Sequence, residues 1–389
     1  MTPRVYLDWN ASAPLRAEAR DALTAALALT GNPSSVHGEG RAARAVVEQA
    51  RDEVAALVAA DPRNVIFTSG GTEANALALT PAIEAGGDKR PFDRLFIAAI
   101  EHPSVRAGGR FAARAVEEIP VGVNGVVDLA ALEGMLGSGG RALVSIMAAN
   151  NETGVIQPVS DAAAIVHRHG GLLHVDAVQA AGRMPLDITT LGADLMTLSA
   201  HKLGGAQGAG ALIKREEALH FPDPLIKGGG QERGLRAGTE NVAAIAAFGA
   251  AAAAVKSNLA AEIRHMAALR ERLEAVLRAV TPDAVIFGAE AERLPNTTLV
   301  AFPGGKAETL VIGFDLDGVS VSSGSACSSG KVAPSHVLAA MGVPGELARG
   351  AIRVSPGPAT PEADIERFLI VWQKLVKSLS NGMKRGLAA

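Results

Sequence analysis

Cysteine is nearly missing from the chain. A single residue, Cys327, stands in 389 positions, so no disulfide forms within the chain, and a reducing compartment is expected. Aromatic residues make up only 3%, too few for base-stacking platforms. Neither sign of charge dominates. The 37 Lys and Arg against 40 Asp and Glu leave a formal net charge of −3, which removes the electrostatic case for nucleic acid or an anionic membrane surface. No apolar run reaches the ~18 uninterrupted residues of a spanning helix. The alanine-rich stretch 242–255 is flanked by Asn241 and Lys256. The opening "MTPRVYLDWNASAP" carries Asp8 and Pro14 and has no apolar core of a signal peptide. Nine histidines and one cysteine show no metal-ligand spacing, so no metal is expected. The expectation is a cytoplasmic protein.

What is present is a large apolar fraction, 48% of residues, in a chain too long for one compact core. Short apolar runs alternate with helix-like stretches. "NVIFTSG" (64–70), "RLFIAAI" (94–100), "ALVSIMAAN" (142–150), "LLHVDAV" (172–178), "DLMTLSA" (194–200) and "AGALIK" (209–214) read as strands buried on both faces. This alternation predicts an α/β fold with a mostly parallel sheet. The character changes near residue 257. A charged amphipathic helix is expected over 262–280, strands over 284–287, 297–302 and 319–322, and a closing helix after Pro361. The large α/β domain is placed at 15–256 and a smaller α+β domain at 257–389.

Ligands of open α/β sheets bind at the carboxyl ends of strands, and polar residues collect there. "FTSGGTEAN" puts Gly70, Gly71 and Thr72 between a strand and a helix. Bare backbone N–H groups with a threonine hydroxyl suit a phosphate, although an ordinary turn reads the same way. "LLHVDAVQ" ends a strand on Asp176, three residues before Gln179. A buried aspartate wants a cation; one such partner is the protonated pyridine nitrogen of pyridoxal phosphate, PLP, and another reading is a helix cap. Lys202 follows, 202 − 176 = 26 residues on, in "LSAHKLGG". A lysine that forms a Schiff base must be held beside the aldehyde. Ser199 and His201 flank it, and Gly204 and Gly205 let backbone pass close to a flat ring. Cys327 lies in "SSGSACSSG" (322–330), which has no large apolar side chain to bury it. That is the setting of a reactive thiol rather than a structural one.

An aspartate, then a lysine about 25 residues later, after a glycine–threonine turn, is the chain order of fold-type I PLP enzymes. The sequence resembles the NifS/IscS-like cysteine desulfurases within the class V aminotransferase family. The resemblance is carried in order by "YLDWNASAPL", "GNPSSVHGEGR", "TSGGTEANALAL", "EHPSV", "NNETGVIQPV", "HVDAVQAAG", "SAHKLGGAQGAGAL", "GGGQERGLRAGTEN", "SSGSACSSG" and "RVSPG". It implies that Lys202 carries the Schiff base and that His102 stacks on the pyridine ring and relays protons. Asp176 would pair with the ring nitrogen and Gln179 with the ring hydroxyl oxygen. Gly71, Thr72, Ser199 and His201 would hold phosphate. Thr239 would reach the phosphate of a partner subunit, so a homodimer is implied. Asn151 would sit near ring and substrate, and Arg353 would bind the carboxylate of L-cysteine. Cys327 would take the substrate sulfur as a persulfide and pass it to an acceptor, an iron–sulfur scaffold or similar protein. The resemblance also places residues 1–14 with the smaller domain.

The resemblance leaves rivals. A selenocysteine lyase is chemically adjacent, and an aminotransferase would need no Cys327. "GSACSSGK" has five residues between Gly324 and Gly330 where a P-loop has four, and Val332 stands where Ser or Thr should hold magnesium. A non-catalytic relative would have no use for Lys202, Asp176, His102 and Cys327 together. Trp9, Ser12 and Ala13 depart from the family pattern in a segment expected near the substrate entrance.

Overall fold

The computed structural model describes residues 4–324 and 335–386. Its centre is a seven-stranded sheet. In spatial order the strands are Val65–Thr68, Gly210–Lys214, Leu195–Ser199, Leu172–Asp176, Ala142–Met147, Arg94–Ala98 and Val116–Ile119. Gly210–Lys214 runs antiparallel to both neighbours, and the other pairings are parallel. The sheet is therefore mostly parallel, as the apolar runs predict. Alternate side chains of one strand feed opposite faces. Phe96 and Ala98 join one apolar cluster, while Leu95 and Ile97 join another. Both faces are covered, which explains the continuous apolar runs.

A second sheet of four short strands lies elsewhere in the chain, ordered Ser322–Ser323, Ile352–Val354, Thr298–Ala301 and Val285–Ile286. Its Ile286, Val300, Ile352 and Val354 share a cluster with Val5, Leu7, Phe314, Phe368 and Trp372, while Leu299 and Ala301 face the large sheet's cluster. The N-terminal strand Val5–Tyr6 pairs in parallel with Val319–Ser320.

One helix, Val242–Val280, serves both clusters. Ala244 to Val255 pack with the large sheet's cluster, and Leu269, Leu273 and Leu277 with the second. The sequence reading separates an alanine-rich stretch from a helix beginning at 262. The structure joins them into one helix, and the intervening Ser257 and Asn258 satisfy their side chains on Ala253 O and Ala254 O of that helix instead of ending it. This helix is long and apolar enough to cross a membrane by length and composition, but it is half buried and packs against helices Ala17–Leu27 and Gly38–Leu57.

Candidate functional site

The parallel strands all end at one edge of the large sheet, and the chain segments leaving that edge surround a cavity of about 270 Å³. It gathers Gly71, Thr72, His102, Asn151, Asp176, Gln179, Ser199, His201, Lys202 and Arg353. Gly71 and Thr72 open the helix Gly71–Ala78, whose first N–H groups have no helical partner. A Cβ on Gly71 would lie 3.0 Å from Val178 Cγ2 and 3.4 Å from Ser199 Cβ, so a side chain there would crowd the cavity wall. Asp176 closes its strand and is buried. Its Oδ1 accepts from Val178 N at 3.0 Å and its Oδ2 from Asn75 Nδ2 at 2.8 Å.

Lys202 ends a single 3-10 turn directly after the strand Leu195–Ser199. Its Nζ donates to the carbonyls of Asn10 and Ala11, each at 2.7 Å. The N-terminal segment thus holds the lysine head in place. Asn10 is itself fixed, with Nδ2 on Thr297 Oγ1 at 2.9 Å and Oδ1 accepting from Asn296 Nδ2 at 3.0 Å.

Burial sets the charge state of the two cavity histidines. His102 is pushed below the ordinary imidazole value by burial and by Lys202, against the opposing pull of Asp176. His201 falls to about 4, from burial first and then from Lys202 and Arg183. Both rings are neutral at neutral pH. His174 is a different case. It lies behind the site in the same strand as Asp176, held between Ser145 Oγ at 2.8 Å and Thr197 Oγ1 at 2.9 Å, and burial lowers it to about 4.

Arg353 reaches the cavity from the second sheet. It is 2% exposed, with Nη2 on Asp8 Oδ1 at 2.7 Å and Nη1 on Asn151 O at 2.9 Å. Its buried Nε has no hydrogen-bond partner among the described residues. Thr239 does not line this cavity. It lies in a separate depression with Thr68, Ser69 and Arg236. Cys327 lies outside the described residues. Of the N-terminal segment, Asn10 and Ala11 line the cavity and Trp9 does not; Trp9 is buried and pressed on Gly357, where any Cβ would come within 2.0 Å of Trp9 Cδ2. Close packing drew it inward. Sequence reasoning missed Asn10, Asn75, Ser104 and Asp8, whose roles depend on partners far along the chain.

These residues fit PLP. A phosphate finds bare amides and the hydroxyls of Thr72 and Ser199, and an aldehyde finds Lys202. The buried Oε1 of Gln179 has no partner among the described residues, whereas its Nε2 is already held by Asn10 O at 3.0 Å. One end of the buried amide is thus held and the other left open as a polar position beside the ring oxygen.

The family model for class-V aminotransferases matches residues 5–368. A protein named cysteine desulfurase from Cereibacter sphaeroides is 42% identical over 97% of this chain and 96% of its own. The cysteine desulfurase IscS of Dictyoglomus turgidum is 38% identical over 97% and 96%. Among solved structures, a NifS-like protein from Rickettsia africae superposes with a TM-score of 0.87 at 36% identity, over 96% of this chain and 99% of that one. SspA in complex with cysteine gives a TM-score of 0.74 at 27% identity, over 92% and 100%. With one family covering nearly the whole length and the lysine, aspartate and glycine–threonine turn meeting in one cavity, the chain belongs to the class-V aminotransferases.

Proposed function

We propose that the chain is a PLP-dependent cysteine desulfurase that converts L-cysteine to L-alanine and carries the sulfur on Cys327. The observation that supports this most is the convergence of ten residues, assigned from sequence, on one cavity at the strand ends. Gly71, Thr72, Ser199 and His201 hold the phosphate, Asp176 and Gln179 hold the ring, and Lys202 anchors the aldehyde. The bound cofactor supplies an electron sink next to the substrate's α-carbon. The Arg353 guanidinium takes the substrate carboxylate, with Asn151 beside it. The Lys202 amine would be placed to take a proton from the substrate's α-carbon and to return protons as alanine forms. The Cys327 thiolate attacks the substrate sulfur. An S–S bond forms and the carbon–sulfur bond breaks, so one L-cysteine and one thiol become one L-alanine and one persulfide. An acceptor protein, an iron–sulfur scaffold or similar, then takes the sulfur.

The chain works as a cytoplasmic homodimer in this reading, with Thr239 directed to a partner subunit, which accords with its distance from its own cavity. The division into a large domain at 15–256 and a small one at 1–14 plus 257–389 is supported by the separate cluster that Val5 and Leu7 share with the second sheet. Incubation with L-cysteine and a thiol tests the reaction. Alanine and sulfide should form in equal amounts, and a wild-type chain that forms neither ends the proposal. Cys327→Ala should keep the cofactor's absorbance and form no persulfide. Sulfide release at the wild-type rate from that variant would remove Cys327 from the reaction.

A further inference from the structure

A line of hydrogen bonds runs from Asp176 to His102, and the proposed reaction makes no use of its two middle members. Asn75, on the helix Gly71–Ala78, is 1% exposed. Its Nδ2 donates to Asp176 Oδ2 at 2.8 Å and to Ser104 Oγ at 2.9 Å. Ser104 Oγ lies 2.7 Å from His102 Nδ1, and the Ser104 backbone N–H donates to the same nitrogen at 3.2 Å.

The direction of every bond in this line follows from donor and acceptor chemistry. An ionised carboxylate only accepts, so the amide group facing Asp176 is the NH₂ of Asn75. Its two hydrogens go to Asp176 and Ser104. Ser104 Oγ therefore accepts from Asn75, and its own hydrogen is left for His102 Nδ1. That nitrogen receives two donors and carries no hydrogen itself. The proton of the neutral ring sits on Nε2.

We propose that Asn75 and Ser104 are positioning residues that lock His102 in its Nε2–H form and tie that choice to Asp176. The inference rests on the proposed function only for what His102 does with the cofactor bound. There it makes the ring a fixed hydrogen-bond donor, as neutral histidines serve elsewhere, in place of the proton relay that the family resemblance implies, and leaves the carrying of protons to Lys202. A second proton at Nδ1 would face the Ser104 hydroxyl and amide hydrogens head-on. The titratable groups around the ring are Asp176, which favours the cation, Lys202, which opposes it, and Glu101 and His336 beside them. Asn75 Oδ1 is buried without a partner among the described residues. An amide kept there at such a cost is better explained by its two donated bonds than by packing.

The test uses the full-length chain labelled with ¹⁵N-histidine, before and after cofactor loading. Long-range ¹H–¹⁵N spectra report the tautomer, and a His102→Gln sample assigns the signal. Wild type should show His102 Nδ1 bare and Nε2 protonated from pH 7 to 9. Ser104→Ala and Asn75→Ala should raise the share of Nδ1–H and tighten proton binding at His102 about threefold. The effect is partial because the backbone N–H of residue 104 remains. Ser104→Thr should restore the wild-type spectrum. Circular dichroism establishes that each variant is folded. A wild-type ring protonated on Nδ1 overturns the proposal. So does a folded Ser104→Ala protein with unchanged tautomer and titration. Failure to make alanine from L-cysteine would instead end the functional reading and leave the spectra unaffected.

Discussion

The two walls of the cavity are built by different rules. On the large sheet, Asp176 closes a buried strand, and Lys202, His102 and the Gly71–Thr72 turn each follow one by a few residues. Parallel pairing, and for Val65–Thr68 two successive antiparallel pairings, bring those strand ends to one edge, so the polar groups meet because of topology. On the second sheet, Arg353 sits within a strand, and its ion-pair partner Asp8 comes from the other end of the chain. The first wall needs the backbone to be right. The second needs one particular long-range contact. The first presents several neutral or hydrogen-bonded groups, while the second presents one guanidinium already partly neutralised.

Breaking the first wall should have the largest effect. Lys202→Ala is expected to lower kcat/KM for L-cysteine about 10³-fold or more, roughly 4 kcal/mol. Borohydride should fix the cofactor to wild type at Lys202 and fix none to the variant. Fixation at another lysine would overturn the assignment of the anchor.

The packing under the second wall comes next. Trp372 is fully buried, edge-on to Phe302 at 5.5 Å and stacked on Phe368 at 6.1 Å, with Nε1 on Thr281 Oγ1 at 2.9 Å. Trp372→Ala should cost about 3–5 kcal/mol of stability. Denaturant melts that show less than about 1 kcal/mol would mean this cluster contributes little to the fold.

The contrast between the walls is also a contrast in what the sequence discloses. Asp176 is visible because a charged residue closing an apolar run is locally conspicuous, and Lys202 because it follows the next such run in a glycine-rich turn. Arg353 was found through the family resemblance alone, and Asp8 looked like one more residue of an N-terminal segment. Asn75 and Ser104 read as ordinary helix polars, since nothing local reveals that they face each other. The strand Val116–Ile119 went unnoticed because Glu117 and Glu118 break its apolar pattern. Such a strand is tolerated at the sheet edge, where it pairs only with Arg94–Ala98. Ile352–Val354 went unnoticed for the same reason, with the cavity arginine at its centre.

Two buried groups set opposite pH limits on the fold. Glu152 lies next to the cavity residue Asn151, and its Oε2 accepts from Ser335 Oγ at 2.5 Å. Burial raises its pKa from 4.5 to about 7, against the pull of Ser335 and Arg353. Between those values the unfolded chain has lost a proton that the folded chain keeps, so stability falls as pH rises. His174 is lowered from 6.5 to about 4. There the unfolded chain gains a proton first, so stability falls as pH drops through that range. Glu152→Gln keeps the acceptor and removes the alkaline loss, which is ~3 kcal/mol at most. Melts should show the variant gaining on wild type from pH 5 to 8, with the acid side unchanged. Glu101, also raised by burial, leaves part of the alkaline slope in place. A variant that tracks wild type across this range would show that Glu152 ionises normally in the folded chain.

The smallest effect tests the second wall directly. Asp8 is partly exposed, and its carboxylate lies 2.7 Å from a guanidinium nitrogen of the buried Arg353. It holds the arginine in place, and it also cancels part of the field that a substrate carboxylate would feel. Asn at this position is nearly the same shape and still accepts the hydrogen bond, but it removes the charge. Asp8→Asn should therefore lower KM for L-cysteine several-fold, about 1 kcal/mol, with kcat nearly unchanged. Arg353→Lys should do the reverse and raise KM, because an ammonium cannot reproduce the forked geometry. If both substitutions move KM in the same direction, Asp8 acts only by positioning the arginine. If neither moves it, the substrate carboxylate binds elsewhere and the second wall is structural.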